Sequence, residues 1–70
     1  MIRKGTNVKW TWGSGTAEGK VEETFKEEVS RTIKGNQVTR HGEKGNKALL
    51  IKTGEGDKAL KLESEVERVS

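Results

Sequence analysis

A Gly-Lys pair, two tryptophans two residues apart, two arginines flanking a Gly-Asn turn and a lone histidine are the features of this 70-residue chain that could carry chemistry. Gly19-Lys20 lies in the stretch VKWTWGSGTAEGKVEETF (8–25) and raises the possibility of a phosphate-cradling loop. That motif needs glycine, four residues, then Gly-Lys-Ser/Thr. Here Val21 follows Lys20, Ser14 holds the first glycine position, and no helix is expected to follow and offer its N-terminus. The spacing argues against nucleotide binding of that type. His41 is the only histidine, at a strand end, and reads as a solvated surface group. Asp57 is the only aspartate and sits in a turn, where its side chain bonds locally. Glu22-Glu23 and Glu27-Glu28 are adjacent pairs, and successive strand residues point to opposite faces, so neither forms a carboxylate dyad. There is no cysteine, hence no disulfide and no thiolate zinc ligand. The expectation is a non-enzyme with no catalytic residue, no metal and no cofactor.

What remains is aromatic and basic. In NVKWTW, Val8, Trp10 and Trp12 share one face and Asn7, Lys9 and Thr11 the other. Trp10 beside Val8 is expected in the core, where burying the ring contributes roughly 2–3 kcal/mol. Phe25 is the other expected core aromatic. Trp12 is the last residue before the Gly13-Ser14-Gly15 turn, at the rim of the strand, and the sequence leaves its exposure open. An exposed ring there could stack on a base, a proline or a cation.

The segments EVSRTIK and QVTRH flank Gly35-Asn36, a dipeptide of hairpin type. If those two residues form the loop, Lys34 faces Gln37 and Arg31 faces Arg40. Like charges directly opposed on a sheet are destabilising, and a bound phosphate or carboxylate would relieve them. Two plainer readings stay open: Glu22, Glu23, Glu27 or Glu28 neutralises the pair, or the register slips and separates it. The candidate ligand-binding residues are therefore Trp12, Arg31, Arg40, Lys34 and Lys9.

These side chains need a scaffold, and the pattern around them is all-β. Glycine and asparagine clusters punctuate short alternating runs. TAEGKVEETF places Ala17, Gly19, Val21 and Phe25 on one face, with Glu23 breaking the alternation. Gly19 within that strand suggests a bulge or bend. KALLIK and DKALKL flank TGEG as a second hairpin, and ESEVERV reads as a turn and last strand returning Val66 and Val69 to the core. An amphipathic helix is the alternative for EGKVEETFKEEVSRTI, where Val21, Phe25, Val29 and Ile33 recur at i, i+4. Gly19 and Gly35 bound the segment, and Ser30, Thr32 and Thr39 suit strands better.

Composition bounds the rest. Seventy residues make one domain spanning 1–70, with a small core. Charged residues are 36% of the chain, and Val, Ile, Leu and Phe sit close to the ~20% level below which chains often stay unfolded. A net charge of only +3, the absence of proline and the apolar patterning favour folding. Charge alternates in blocks, which reads either as a solvated surface or as a one-sided basic patch. The longest apolar run, Ala48–Ile51, is far short of the ~20 residues that span a bilayer, and no signal-peptide pattern precedes the first strand. The chain reads as cytoplasmic, with no membrane partner.

KGTNVKWTWGSGTAEGKV, RTIKGNQVTRHG and KALLIKTGEGDKALKLESEVERV together resemble the small bacterial family called hypervirulence-associated protein, Tudor domain. The likeness runs from about Ile2 to Val69 and is most specific at Trp10 to Gly13, Thr16 to Gly19 and Leu60 to Val66. It implies an SH3-like, Tudor-type barrel of about five antiparallel strands and defines no molecular activity, because fold does not fix function. Eukaryotic Tudor domains hold methylated lysine or arginine in a cage of several aromatics. Three aromatics, with one or two in the core, are too few for such a cage.

The expected function is a non-catalytic binding module. Nucleic acid is the first ligand class, since small barrels often bind it with basic and aromatic groups together. A protein-interaction module using the rim or a strand edge, for a peptide or for self-association, is the alternative. A structural or stress-associated protein without a dedicated ligand is the third.

Overall fold

The alternation in NVKWTW does build a strand. In the computed structural model, which describes residues 2–33, 35–54 and 56–69 (with the Trp12 side chain excepted), β1 spans Asn7–Trp12 and β2 Gly15–Phe25. The hairpin β3 (Glu28–Ile33) and β4 (Asn36–His41) follows, then β5 (Ala48–Thr53) and β6 (Lys58–Leu62). A single 3₁₀ turn, Glu63–Glu65, leads to the two-residue β7, Glu67–Arg68. Residues 20–33 are extended, not helical. Every strand pair is antiparallel.

The architecture departs from a five-stranded barrel. Among the described residues, seven strands form two sheets: one of five, in the order β6-β5-β2-β1-β7, and the separate β3-β4 ribbon. The larger sheet does not close, because β6 and β7 lie at opposite edges of it.

One extra residue explains why two layers form. β2 pairs with β5 as Val21↔Ile51 and then Glu23↔Leu50, so Glu22 is a β-bulge. The bulge re-phases the strand. Val21 joins a first core with Val8, Trp10, Leu49 and Ile51, capped by Ile2 and Val66. Phe25 is delivered instead to a second core, with Val29, Ala48, Leu50 and Leu60 beneath the β3-β4 ribbon. Phe25 thus does not share the Val21 face, and the interruption at Glu23 marks the bulge. Gly19 is not the bulge; it pairs regularly with both Val8 and Thr53. A Cβ there would lie 2.5 Å from Ile51 Cγ2 and 2.7 Å from the Lys52 carbonyl oxygen, so the close strand approach requires glycine. The run Ala48-Leu49-Leu50-Ile51 is buried throughout because β5 feeds both cores. Val66 returns to the core as expected; Val69 does not and is 46% exposed, held by its amide to the Asn7 carbonyl.

The β3-β4 register also differs from expectation. Ile33 pairs with Asn36, so Asn36 belongs to β4 and not to the turn, and Gly35 takes the positive φ (+80°) that tight hairpin turns favour. Arg31 therefore faces Val38, Arg40 faces Val29, and Ser30 faces Thr39, with a 2.8 Å hydroxyl hydrogen bond between the last two. The two arginines are not directly opposed. The partner of Arg31 moves by two residues, which preserves the face, so both remain on the side of Val29, Ile33 and Val38.

Candidate functional site

The expected basic and aromatic residues fall into two groups. On the ribbon, the exposed Arg31 lays its guanidinium over the Phe25 ring, 5.1 Å from the centroid, and donates from Nη1 to the Ser30 carbonyl at 2.8 Å. It makes no carboxylate ion pair among the described residues. Phe25 is only half-buried, so the pair presents a charged group over an aromatic ring at the edge of the second core.

Arg40 is more committed. Its Nη1 donates to the Thr39 carbonyl at 2.9 Å and its Nε to Glu65 Oε1 at 3.2 Å. The same Glu65 oxygen accepts the Leu62 amide at 2.8 Å, which closes the 3₁₀ turn. Burial alone would push the Glu65 carboxyl up; the Leu62 amide bond and the Arg40 charge outweigh it and hold the group below its ordinary range. The neutralising carboxylate is therefore distant in sequence, not one of the nearby glutamates 22, 23, 27 and 28.

The second group borders a groove of about 320 Å³ between β1 and the 3₁₀ turn, lined by Lys9, Trp10, Thr11, Glu65 and Val66 among others. Trp10 is 8% exposed, a core residue that also walls this groove. β7 pairs only with Val8 and Lys9, so from Trp10 to Trp12 the outer edge of β1 has no strand beside it among the described residues. Lys9 sits in register between Glu18 of β2 and Glu67 of β7. Glu65 links the groups, since it lines the groove and holds Arg40. The Trp12 side chain and Lys34 lie outside the described residues, so the rim tryptophan and the loop lysine stay as sequence expectations.

One row of side chains escaped the sequence reading. Asn7 pairs with Lys20, Lys20 with Lys52, and Lys52 with Lys58, which aligns three lysines across β2, β5 and β6. Lys52 and Lys58, on either side of the β5-β6 turn, were the available signal; Lys20 is central in β2, and only the pairing of three separate strands brings all three together. His41 is exposed, 4.0 Å from Glu28 across the ribbon. Among the described residues no group of three or more His, Cys, Asp or Glu is placed to hold a metal ion. Among the described residues no helix is long and apolar enough to cross a membrane.

Against known proteins, residues 5–66 match the family model described as "Hypervirulence associated proteins TUDOR domain". No curated protein and no solved structure matches the chain.

Proposed function

The chain belongs to the hypervirulence-associated Tudor-domain family, and from that premise we propose that it is a non-catalytic module binding nucleic acid through the β3-β4 ribbon. The observation that carries this reading is the Arg31–Phe25 stack. A guanidinium lying over a ring keeps its outer face available to an unstacked base, and its remaining N–H groups suit a phosphate. Arg40 lies on the same face of the ribbon and adds a second guanidinium, positioned by Glu65. Lys34, with Lys9 and Trp12 on β1, completes the proposed set of contacts.

The test is binding of a labelled single-stranded oligonucleotide by Arg31→Ala/Arg40→Ala over a range of salt. The expected result is weaker binding and a shallower salt dependence, by about 0.7 per lost phosphate contact, with unfolding still cooperative. Equal affinity and slope in wild type and variant would overturn the hairpin reading.

A protein-interaction reading has its own support in the unpaired edge of β1. An extended peptide could add beside Trp10–Trp12, along the groove walled by Lys9 and Glu65. Binding of that kind persists as salt rises, whereas phosphate-driven binding falls steeply.

A further inference from the structure

The outer face of the five-stranded sheet carries two adjacent rows of opposite character. In one, Lys9 is flanked in register by Glu18 and Glu67, an alternation that neutralises itself. In the next, Lys20, Lys52 and Lys58 stand in line. All three are exposed. With strands about 4.8 Å apart, the row spans about 10 Å. Like charges directly opposite across strands destabilise a sheet. Three in succession are an electrostatic cost that the fold itself does not require, since exposed strand positions accept many polar residues.

Among the described residues a direct ion pair reaches only one end of the row. Glu22, on the bulge, reaches Lys58 at 3.3 Å. Glu18 is opposite Lys9 in the neighbouring row and, with Glu22, borders the groove onto which Lys20 and Lys52 open, without an ion pair to either among the described residues. Glu23 and Glu22 line the groove, of about 560 Å³, onto which Lys4, Lys20 and Lys58 also open. Lys20 and Lys52 form no ion pair among the described residues. Lys52 is two residues from Leu50, so the row lies on the same face of the sheet as the second core, at the end the β3-β4 ribbon leaves uncovered.

We propose that Lys20, Lys52 and Lys58 form a phosphate-binding track for nucleic acid, separate from the ribbon arginines. The inference rests on the nucleic-acid reading above and gives that ligand a second contact face. Ammonium groups at strand spacing neutralise successive backbone phosphates without reading bases, so the track contributes affinity and salt dependence, not sequence preference. The mutual repulsion of Lys20 and Lys52 in the free protein is relieved when a phosphate lies between them.

The experiment uses the full chain and a labelled oligothymidylate titrated at several salt concentrations. Lys20→Gln/Lys52→Gln is compared with wild type, with Arg31→Ala/Arg40→Ala and with Lys26→Gln/Lys44→Gln, which removes the same charge from exposed positions outside the row. The track variant is expected to lose at least about tenfold in affinity at low salt and about 1.4 in the slope of log affinity against log salt. It should also unfold at a temperature no lower than wild type, because a repulsion has been removed. The control variant should bind close to wild type. Unchanged affinity and slope in the track variant, or an equal loss in the control, overturns the track. Loss in the track variant with retention in the arginine variant removes the hairpin reading and leaves the track standing; the reverse result removes the track alone. Absence of wild-type binding to the oligonucleotide overturns both.

Discussion

Arg40 on β4 and Glu65 in the 3₁₀ turn meet at 3.2 Å, and the Glu65 oxygen that accepts from Arg40 also accepts the Leu62 amide. One carboxylate thus ties the separate β3-β4 ribbon to the end of β6. A companion lashing lies beside it: Ser64 and Asn46 exchange hydrogen bonds at 2.9 and 3.1 Å, and Glu63 accepts the Lys47 amide at 2.8 Å. The turn after β6 is the anchor for the loop that leaves the ribbon.

The first prediction concerns acid. The folded-state pKa of Glu65 lies below its ordinary 4.5, so the ionised form is preferred in the folded protein. Its contribution is fully present above pH 4.5 and is lost as pH falls through the depressed folded value. Both side chains are about a third exposed, which limits the ion pair to about 0.2–1 kcal/mol at neutral pH. Arg40→Ala should therefore destabilise by that amount in urea unfolding at pH 7, and the difference from wild type should shrink below pH 4.5. A difference that grows on acidification would contradict the clasp.

Gly19 gives a steric prediction. Its missing Cβ lies against Ile51 Cγ2 and the Lys52 carbonyl, and the second of these is backbone. Gly19→Ala should cost about 1–3 kcal/mol, read as a lowered unfolding midpoint. Gly45→Ala is the matched control, since nothing lies within 4 Å of a Cβ there and no positive φ is involved. It should be neutral or stabilise by up to about 1 kcal/mol through the unfolded state.

The bulge gives a prediction about phase. Glu22→Ala removes only the partly exposed pair with Lys58 and should cost under about 1 kcal/mol. Deleting Glu22 tests the register itself. It removes the extra residue and leaves Glu23, Thr24 and Phe25 opposite Leu50, Leu49 and Ala48 in unbroken pairing, so Phe25 keeps its place in the second core. The deletion should therefore fall within about 1 kcal/mol of the substitution in denaturant unfolding. A clear excess loss, of the about 1.5–3 kcal/mol that Phe25 burial contributes, would mean that Phe25 leaves the second core when the bulge is removed.

The sequence made individual elements readable where alternation was regular. NVKWTW announced β1 and its buried Trp10, and the two segments around TGEG announced the β5-β6 hairpin. Legibility stopped where a single residue altered phase. Glu23 signalled an interruption, but nothing local says whether the interruption is a bulge or a mismatched surface position, and that choice decides which core receives Phe25. The β3-β4 turn shows the same difficulty: a two-residue change of partner keeps every side chain on its face, so the pattern of Val29, Ile33 and Val38 is the same in either register. The candidate site inherited these ambiguities. Arg31 and Arg40 were correctly placed on one face, but their partners, Phe25 and Glu65, depend on the bulge and on a contact 25 residues away in the chain. The lysine row is less legible still, because no single hairpin contains it.

β5 belongs to both hydrophobic clusters, sending Leu49 and Ile51 one way and Ala48 and Leu50 the other. Neither layer can melt and leave the other intact, since each loses its floor when β5 departs. Two small clusters, each too meagre to persist alone, are thereby fused into a single cooperative unit, and β5 should be the last stretch of backbone to give up its amide protons to solvent. If the ribbon and the outer sheet face meet a ligand as proposed, they share that spine, and holding either surface slows the opening of the whole.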